Sequence, residues 1–176
     1  LKTLNSLEIF KIIHPKMNFP VELEKVSKNE DLKNWNRTEI SCLLLYSSPP
    51  EHRVAIAHSL DMPKSVLAAL SGLRMLENLD DDDLNSDIYQ NLIPVPEAAL
   101  RVGISCLDDT KSSQIKLFVD HLRDLQLSIN GDDVISLGVQ PGPLVGELLS
   151  QAFSALLNDQ LQGRESQLSF VQNLIV

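Results

Sequence analysis

The sequence lacks an uninterrupted apolar run of the roughly 18 residues that a membrane-spanning helix needs, and its opening shows no secretory signal pattern. Aromatic residues are also scarce, at 5% of the chain. Leucine is abundant and hydrophobic residues reach 43%, a composition that favours helices packed on helices over a β-sandwich or barrel. The sequence therefore predicts an all-α fold, an array of short packed helices without a catalytic β-sheet head, in a cytoplasmic or organellar protein.

Positive charge is scarce as well. The chain has 15 basic and 24 acidic residues, a net charge of −9. This balance argues against a basic nucleic-acid-binding domain, because neutralised phosphates normally supply much of the affinity. The opening 34 residues, with six lysines, are the least acidic part, and residues 74–97 are the acidic centre. Any RNA contact is therefore expected to be local.

Residue types that carry chemistry are few and scattered. Cys42 and Cys106 lie in apolar stretches without Cys-x-x-Cys spacing, which favours buried free thiols in a reducing compartment over a disulfide. The four histidines are spread over three predicted helical segments, without a Gly-x-Ser-x-Gly nucleophile turn. The run 80–83 contains Asp-x-Asp spacing, yet it joins two predicted helices rather than ending a strand, so we interpret it as a solvated linker. No catalytic or metal-binding residue is predicted.

Helical periodicity and proline punctuation divide the chain into short segments. Thr38 and Ser86 are predicted helix caps, and Pro50 is predicted to begin a helix. The predicted helices cover 3–13, ended by His14-Pro15, then 20–34, the segment through EISCLLLY, EHRVAIAHSL, SVLAALSGLRMLENL, DIYQNLI, EAALRVGISCL and 111–125.

Four glycines and two prolines interrupt the Leu-rich stretch INGDDVISLGVQPGPLVGELL, residues 129–149. Gly131 is predicted to supply a turn, and Asp132 or Asp133 to cap a short helix that ends near Gly138. The sequence Pro141-Gly142-Pro143 then breaks the chain and places Pro143 at the first position of a long helix. Gly146, one turn in, costs about 1 kcal/mol relative to alanine, which predicts the close approach of another backbone.

This stretch and the residues after it resemble the C-terminal region of bacterial-type tRNA nucleotidyltransferases (CCA-adding enzymes) and poly(A) polymerases, in which the pattern isGxDLmxlGxxPGPxIGxxL recurs. Two weaker similarities lie upstream, SDIYQNLIPVPEAAL and SLEIFKIIHPKM, while the middle third is supported by helical pattern alone. The matching residues are Ile129, Gly131, Asp132, Asp133, Leu137, Gly138, Pro141, Gly142, Pro143, Gly146, Leu149, Arg164 and Glu165.

The resemblance implies a division into the end of a neck (1–36), a helical body (37–128) and tail helices (129–176). It also implies a separate catalytic head elsewhere in a longer protein, where a nucleoside triphosphate and Mg²⁺ would bind. The fragment by itself is then not an enzyme. Its implied role is to hold the acceptor arm of a tRNA, or another structured RNA, while the head extends the 3′ end.

The resemblance makes two glycines and three basic residues candidates for RNA contact. Gly142 and Gly146 would let a phosphate approach the amino end of a helix, although a purely structural role fits them at least as well. The basic candidates are Lys116, Arg123 and Arg164. The alternative function is a helical protein-interaction or self-association module, such as a homodimer, that docks through an apolar surface at Leu148, Leu149, Ala152 and Leu156.

Overall fold

The computed structural model describes residues 9–29 and 32–175. All the regular elements in this part of the chain are helical, so the all-α prediction is confirmed. The helices are α1 Ile9–Ile13, α2 Val21–Asn29, α3 Arg37–Tyr46, α4 Pro50–Ser59, α5 Lys64–Glu77, α6 Asn85–Leu92, α7 Glu97–Cys106, α8 Asp109–Asp120, α9 Gly131–Ser136, α10 Pro143–Leu157 and α11 Gly163–Ile175, with 3-10 turns at Leu32–Asn34 and Leu122–Asp124.

Proline punctuation predicts several of these boundaries. Pro50 and Pro143 each occupy the first helical position, where the missing N–H is not needed. Helix α1 ends at Ile13, just before His14-Pro15, whereas the predicted start of that helix lies outside the described residues. The single helix predicted over 20–34 is instead the shorter α2 followed by a 3-10 turn. No helix of 9–29 or 32–175 combines the length and apolar character needed to cross a bilayer.

Two predicted caps are wrong. Asn36 rather than Thr38 caps α3: its Oδ1 accepts the Glu39 N–H at 3.0 Å, and the Glu39 carboxylate accepts the Asn36 N–H at 2.7 Å. Ser86 lies inside α6, which begins one residue earlier, and its N–H donates to the Asn158 side-chain carbonyl at 3.0 Å. The Thr38 hydroxyl instead lies 3.1 Å from the Ser65 hydroxyl, and the Ser86 hydroxyl accepts from Asn158 Nδ2 at 3.1 Å.

The chain divides into two compact units. The described part of the first contains residues 9–29, 32–81 and 91–116, and that of the second contains 82–90 and 117–175. The division of the sequence at 36 and 128 therefore stays a prediction. In the first unit α5 packs against α3, α4 and α7, and α3 also contacts α2 and α7.

Two glycines allow close packing around α5 in the first unit. A Cβ added at Gly72 would lie 2.9 Å from the Pro96 ring and 3.0 Å from the Ala99 Cβ. One added at Gly103 would lie 2.7 Å from the Leu76 side chain. Side chains this close would clash, so these positions set the distance between α5 and α7.

The second unit has its own apolar core, to which α9, α10 and α11 contribute. Tyr89 of α6 joins this unit through edge-to-face contacts with Phe118 and Phe153, at centroid distances of 6.0 and 5.2 Å. The buried core residues are Ile129, Val134, Val139, Leu148, Ala152, Ala155, Leu161 and Val171.

Candidate nucleic-acid interface

The conspicuous Gly-Asp-Asp sequence forms the start of α9. Asn130 caps this helix, because its Oδ1 accepts the N–H groups of Asp132 and Asp133 at 3.0 and 3.2 Å. The Asp133 carboxylate returns the contact by accepting the Asn130 N–H at 2.9 Å. The prediction that Asp132 or Asp133 is the cap is therefore wrong. Gly131 is the first helical residue rather than a turn residue.

Arg164, a predicted RNA contact, is engaged within the second unit. Its Nη1 donates to the Ser128 carbonyl at 2.6 Å and to Asp133 Oδ2 at 3.0 Å, while Nη2 donates to Asp133 Oδ1. This two-pronged contact ties the start of α11 to the start of α9. The hydrogen bond from Arg164 lowers the pKa of the Asp133 carboxyl below its usual value, and the Asn130 N–H adds a smaller effect in the same direction. A phosphate would have to compete with this carboxylate for the same guanidinium.

The glycines and prolines before α10 divide into two kinds. Gly138 has a φ of 100°, in the left-handed region that glycine tolerates, and it follows the end of α9 as predicted. Gly142 and Gly146 are exposed, and a Cβ added at either would meet nothing within 4 Å. The close backbone approach predicted at Gly146 is thus not present among the described residues, and the amino end of α10 is open. Pro141 and Pro143 flank Gly142 and are exposed too.

The other two basic candidates lie in different units. Lys116 is exposed near the end of α8 and belongs to the first unit. Arg123 is exposed in the 3-10 turn after α8, belongs to the second unit and has an intramolecular partner. The role of the five candidates in RNA binding stays a prediction.

The two units differ strongly in charge. The second unit has ten acidic residues and two basic ones, Arg123 and Arg164, a net charge of −8. The first unit has 14 acidic and 13 basic residues, a net charge of −1. Because negative side chains repel the phosphates of RNA, phosphate contact is electrostatically costly at the second unit and tolerated at the first.

Two arginines of the first unit are engaged by other groups of the same unit. Arg53 is 5% exposed and donates to the Ser48 carbonyl at 2.9 Å and to Glu77 at 2.6 Å. Arg101 lies over the Trp35 ring and donates to the Asn34 carbonyl at 2.9 Å. These groups stabilise the unit and are not free for a ligand, and sequence reasoning did not single them out.

The residues weighed for catalysis are dispersed. Asp80, Asp81 and Asp82 are exposed between α5 and α6, where the sequence predicts a linker. His58 and His121 are exposed as well. In the described part of the chain no three His, Cys, Asp or Glu side chains are arranged to hold a metal ion.

The apolar surface suggested for protein docking is the core of the second unit. Leu148 is 3% exposed and Ala152 is fully buried, and Leu149 packs against the same cluster. These side chains face inward because α10 supplies its apolar stripe to α9 and α11. The prediction of a docking surface is therefore wrong for Leu148, Leu149 and Ala152, while Leu156 is half-buried.

Comparison with known proteins gives one informative similarity. No family model and no solved structure matches the chain. The chain is similar to the A-adding tRNA nucleotidyltransferase of Geobacter sulfurreducens, with 30% identity over 95 residues. The aligned residues are 53% of this chain and 11% of that protein, so the chain spans only a small part of its relative. The similarity supports a relationship to tRNA nucleotidyltransferases.

Proposed function

We propose that this chain is the helical, RNA-holding body and tail of a tRNA nucleotidyltransferase or poly(A) polymerase. In this role it positions the acceptor arm of a tRNA while a catalytic head in the same longer polypeptide adds nucleotides to the 3′ end. The observation that carries the proposal is the similarity over 95 residues to an A-adding tRNA nucleotidyltransferase. The all-helical fold and the motif of residues 129–149 support it.

The charge distribution supports an RNA contact through the first unit. Its net charge of −1 allows local basic patches, whereas the net −8 of the second unit repels phosphates. Double-helical RNA is held mainly by its shape and by contacts with phosphates and 2′-hydroxyls. A few well-placed lysines on helices can therefore serve, without the large basic surface that the sequence lacks.

Catalysis belongs, in this proposal, to the head. Two Mg²⁺ ions there would stabilise the attacking 3′ oxygen and the leaving pyrophosphate of a nucleoside triphosphate. The described residues of this chain do not fit such a site, because their acidic groups do not converge. The chain supplies orientation, and positioning contributes strongly to the rates of such reactions.

Binding of fluorescently labelled tRNA by the full 176-residue chain, across a salt series, tests the proposal. We expect binding at low ionic strength that weakens with salt and that exceeds binding of single-stranded poly(A). A shallow slope of log affinity against log salt is expected, since few phosphates are neutralised. Absence of tRNA binding at low salt, or equal binding of poly(A), would contradict the proposal.

A second function, a protein-interaction module, is favoured by the acidic second unit and by exposed apolar side chains there, among them Leu144. Leu144, in the first turn of α10, is 52% exposed next to the open positions Gly142 and Gly146. Sedimentation velocity over a concentration range distinguishes this function. A dimer that dissociates on dilution, together with no RNA binding, would favour it.

A further inference from the structure

A cavity of about 550 Å³ opens in the first unit beside two half-buried phenylalanine rings. Phe10 of α1 and Phe19 of the following segment line it, together with Lys11, Asn18 and Ser47. Its size falls within the roughly 300–1,000 Å³ typical of small-molecule sites. We name it the Phe10–Phe19 cavity.

The two rings pack edge to face, with centroids 5.8 Å apart and planes at 82°. Both side chains are half-buried, so the pair is held in place while part of its aromatic surface borders the cavity. Two other aromatic rings, Tyr46 and Trp35, lie under arginines, and the half-buried Tyr89 packs edge to face against two phenylalanines of the second unit. Rigid, partly open aromatic rings are the surfaces on which unpaired nucleic-acid bases stack.

Cationic groups accompany these rings. The Lys11 ammonium donates to the Asn18 side-chain carbonyl at 3.1 Å, and the Lys16 ammonium lies 3.5 Å from His52 Nδ1. Within residues 9–29 and 32–175, neither ammonium is in an ion pair with a carboxylate, unlike Lys25 and Lys28 of α2. Their charge is therefore available to an anion.

Asn18 fixes the geometry of the cavity wall. Its N–H donates to the Ser48 hydroxyl at 3.1 Å, and its Nδ2 donates to the Ser47 carbonyl at 3.0 Å. These contacts orient the side-chain carbonyl that receives Lys11. A cation held against a fixed amide loses less conformational entropy on binding a ligand than a free side chain does.

We propose that the Phe10–Phe19 cavity binds one unpaired nucleotide of the RNA, with its base against the two rings and its phosphate at Lys11. Lys16, one residue before the buried Met17 that lines the cavity, adds positive potential. The inference rests on the proposed function and assigns part of the RNA contact to these residues. It fits a base of any identity, because every base presents a π-face.

The test compares two RNA hairpins with the same stem, one blunt and one with four unpaired 3′ nucleotides, by fluorescence anisotropy at low salt. We expect the wild-type chain to bind the extended hairpin more tightly. Phe19→Leu, which keeps apolar volume but removes the ring, should weaken binding of the extended hairpin about tenfold and leave the blunt one unchanged. Lys11→Glu should weaken it as well and lower the salt slope by about one.

Matched controls separate this site from general effects. Phe170→Leu changes a half-buried aromatic ring of the second unit, and Lys64→Glu reverses an exposed charge at the start of α5. Both should keep the wild-type preference for the extended over the blunt hairpin. Circular dichroism checks folding, and the exposed Lys11→Glu variant carries the test if Phe19→Leu does not fold.

The outcomes distinguish the two proposals. A wild-type chain that binds neither hairpin nor tRNA would overturn the proposed function and this inference together. A wild-type chain that binds tRNA but does not prefer the extended hairpin, or folded variants that match the wild type, would overturn the inference alone.

Discussion

Arg164 and Asp133 form a two-pronged ion pair across 31 residues of sequence, with Nη1 3.0 Å from Oδ2 and Nη2 2.5 Å from Oδ1. The same carboxylate accepts the Asn130 N–H and so closes the capping box of α9. The Asp133 side chain thus joins the start of α9 to the start of α11. Asp133 and Arg164 therefore have an architectural role within the second unit.

Asp133→Asn is expected to lower stability in a pH-dependent way. Arg164 lowers the pKa of Asp133 in the folded chain, so the ionised carboxylate stabilises the fold. This contribution is fully present above the usual carboxyl pKa of 3.8 and disappears as pH falls through the lowered value. The urea midpoints of the wild type and the variant should therefore differ at neutral pH. They should converge at acidic pH, once the Asp133 carboxyl of the wild type is protonated. Asp132→Asn, the exposed neighbour, is the control, and a pH-independent difference would contradict the assignment.

Gly146→Ala is expected to raise the free energy of unfolding by roughly 0.5–1 kcal/mol. The added methyl group meets no neighbouring atom, and alanine loses less backbone entropy in a helix. Gly72→Val should instead lower it by about 1–3 kcal/mol, because its side chain meets the Pro96 ring. Thermal unfolding measures both changes. Unchanged tRNA affinity in Gly146→Ala would remove Gly146 from the RNA-binding candidates.

Glu77→Gln is expected to destabilise the first unit by about 3 kcal/mol. The change leaves the Arg53 guanidinium, 5% exposed, without its counter-charge in the interior. Glu22→Gln is the matched control, since its partner Lys25 is solvent-exposed and such pairs contribute at most about 1 kcal/mol. Equal losses in urea denaturation would show that burial of the Arg53 pair adds nothing.

The two thiols are expected to react at very different rates. Cys42 is fully buried, and burial raises its pKa to about 12, so little nucleophilic thiolate forms at neutral pH. Cys106 is half-buried at the end of α7. Titration with a disulfide reagent should label one thiol quickly in the folded chain and the second only after unfolding. Cys106→Ser should abolish the fast phase; a fast phase that remains would contradict this order.

The helical class and many helix boundaries follow from the sequence because their causes are local. Proline at the first helical position and glycine after the last act within one turn of the chain. The capping boxes are also local, and the spacing of Asn36 to Glu39 and of Asn130 to Asp133 was a signal that could have found them. Ser86, by contrast, bonds to Asn158, and no local pattern reveals a partner 72 residues away.

The candidate interface was harder to predict for the same reason. Phe10 and Phe19 lie on either side of the break at His14-Pro15, so their contact depends on how the chain turns there. The guanidinium of Arg164 is a group that commonly binds phosphate, yet its pairing with Asp133 depends on the packing of α9 and α11. Charge counts became informative only when they were divided between two units that alternate along the chain.

The placement of residues 82–90 with the later part of the chain restricts how the molecule can be shortened. A truncated protein that begins at 117 would lose Tyr89, which contacts Phe118 and Phe153, and Ser86, the partner of Asn158. It would present a bare aromatic face to water and aggregate readily. A shortened protein that keeps the later residues should therefore also keep residues 82–90, by a genetic fusion if necessary. A shortened protein that removes the second unit should remove both of its segments.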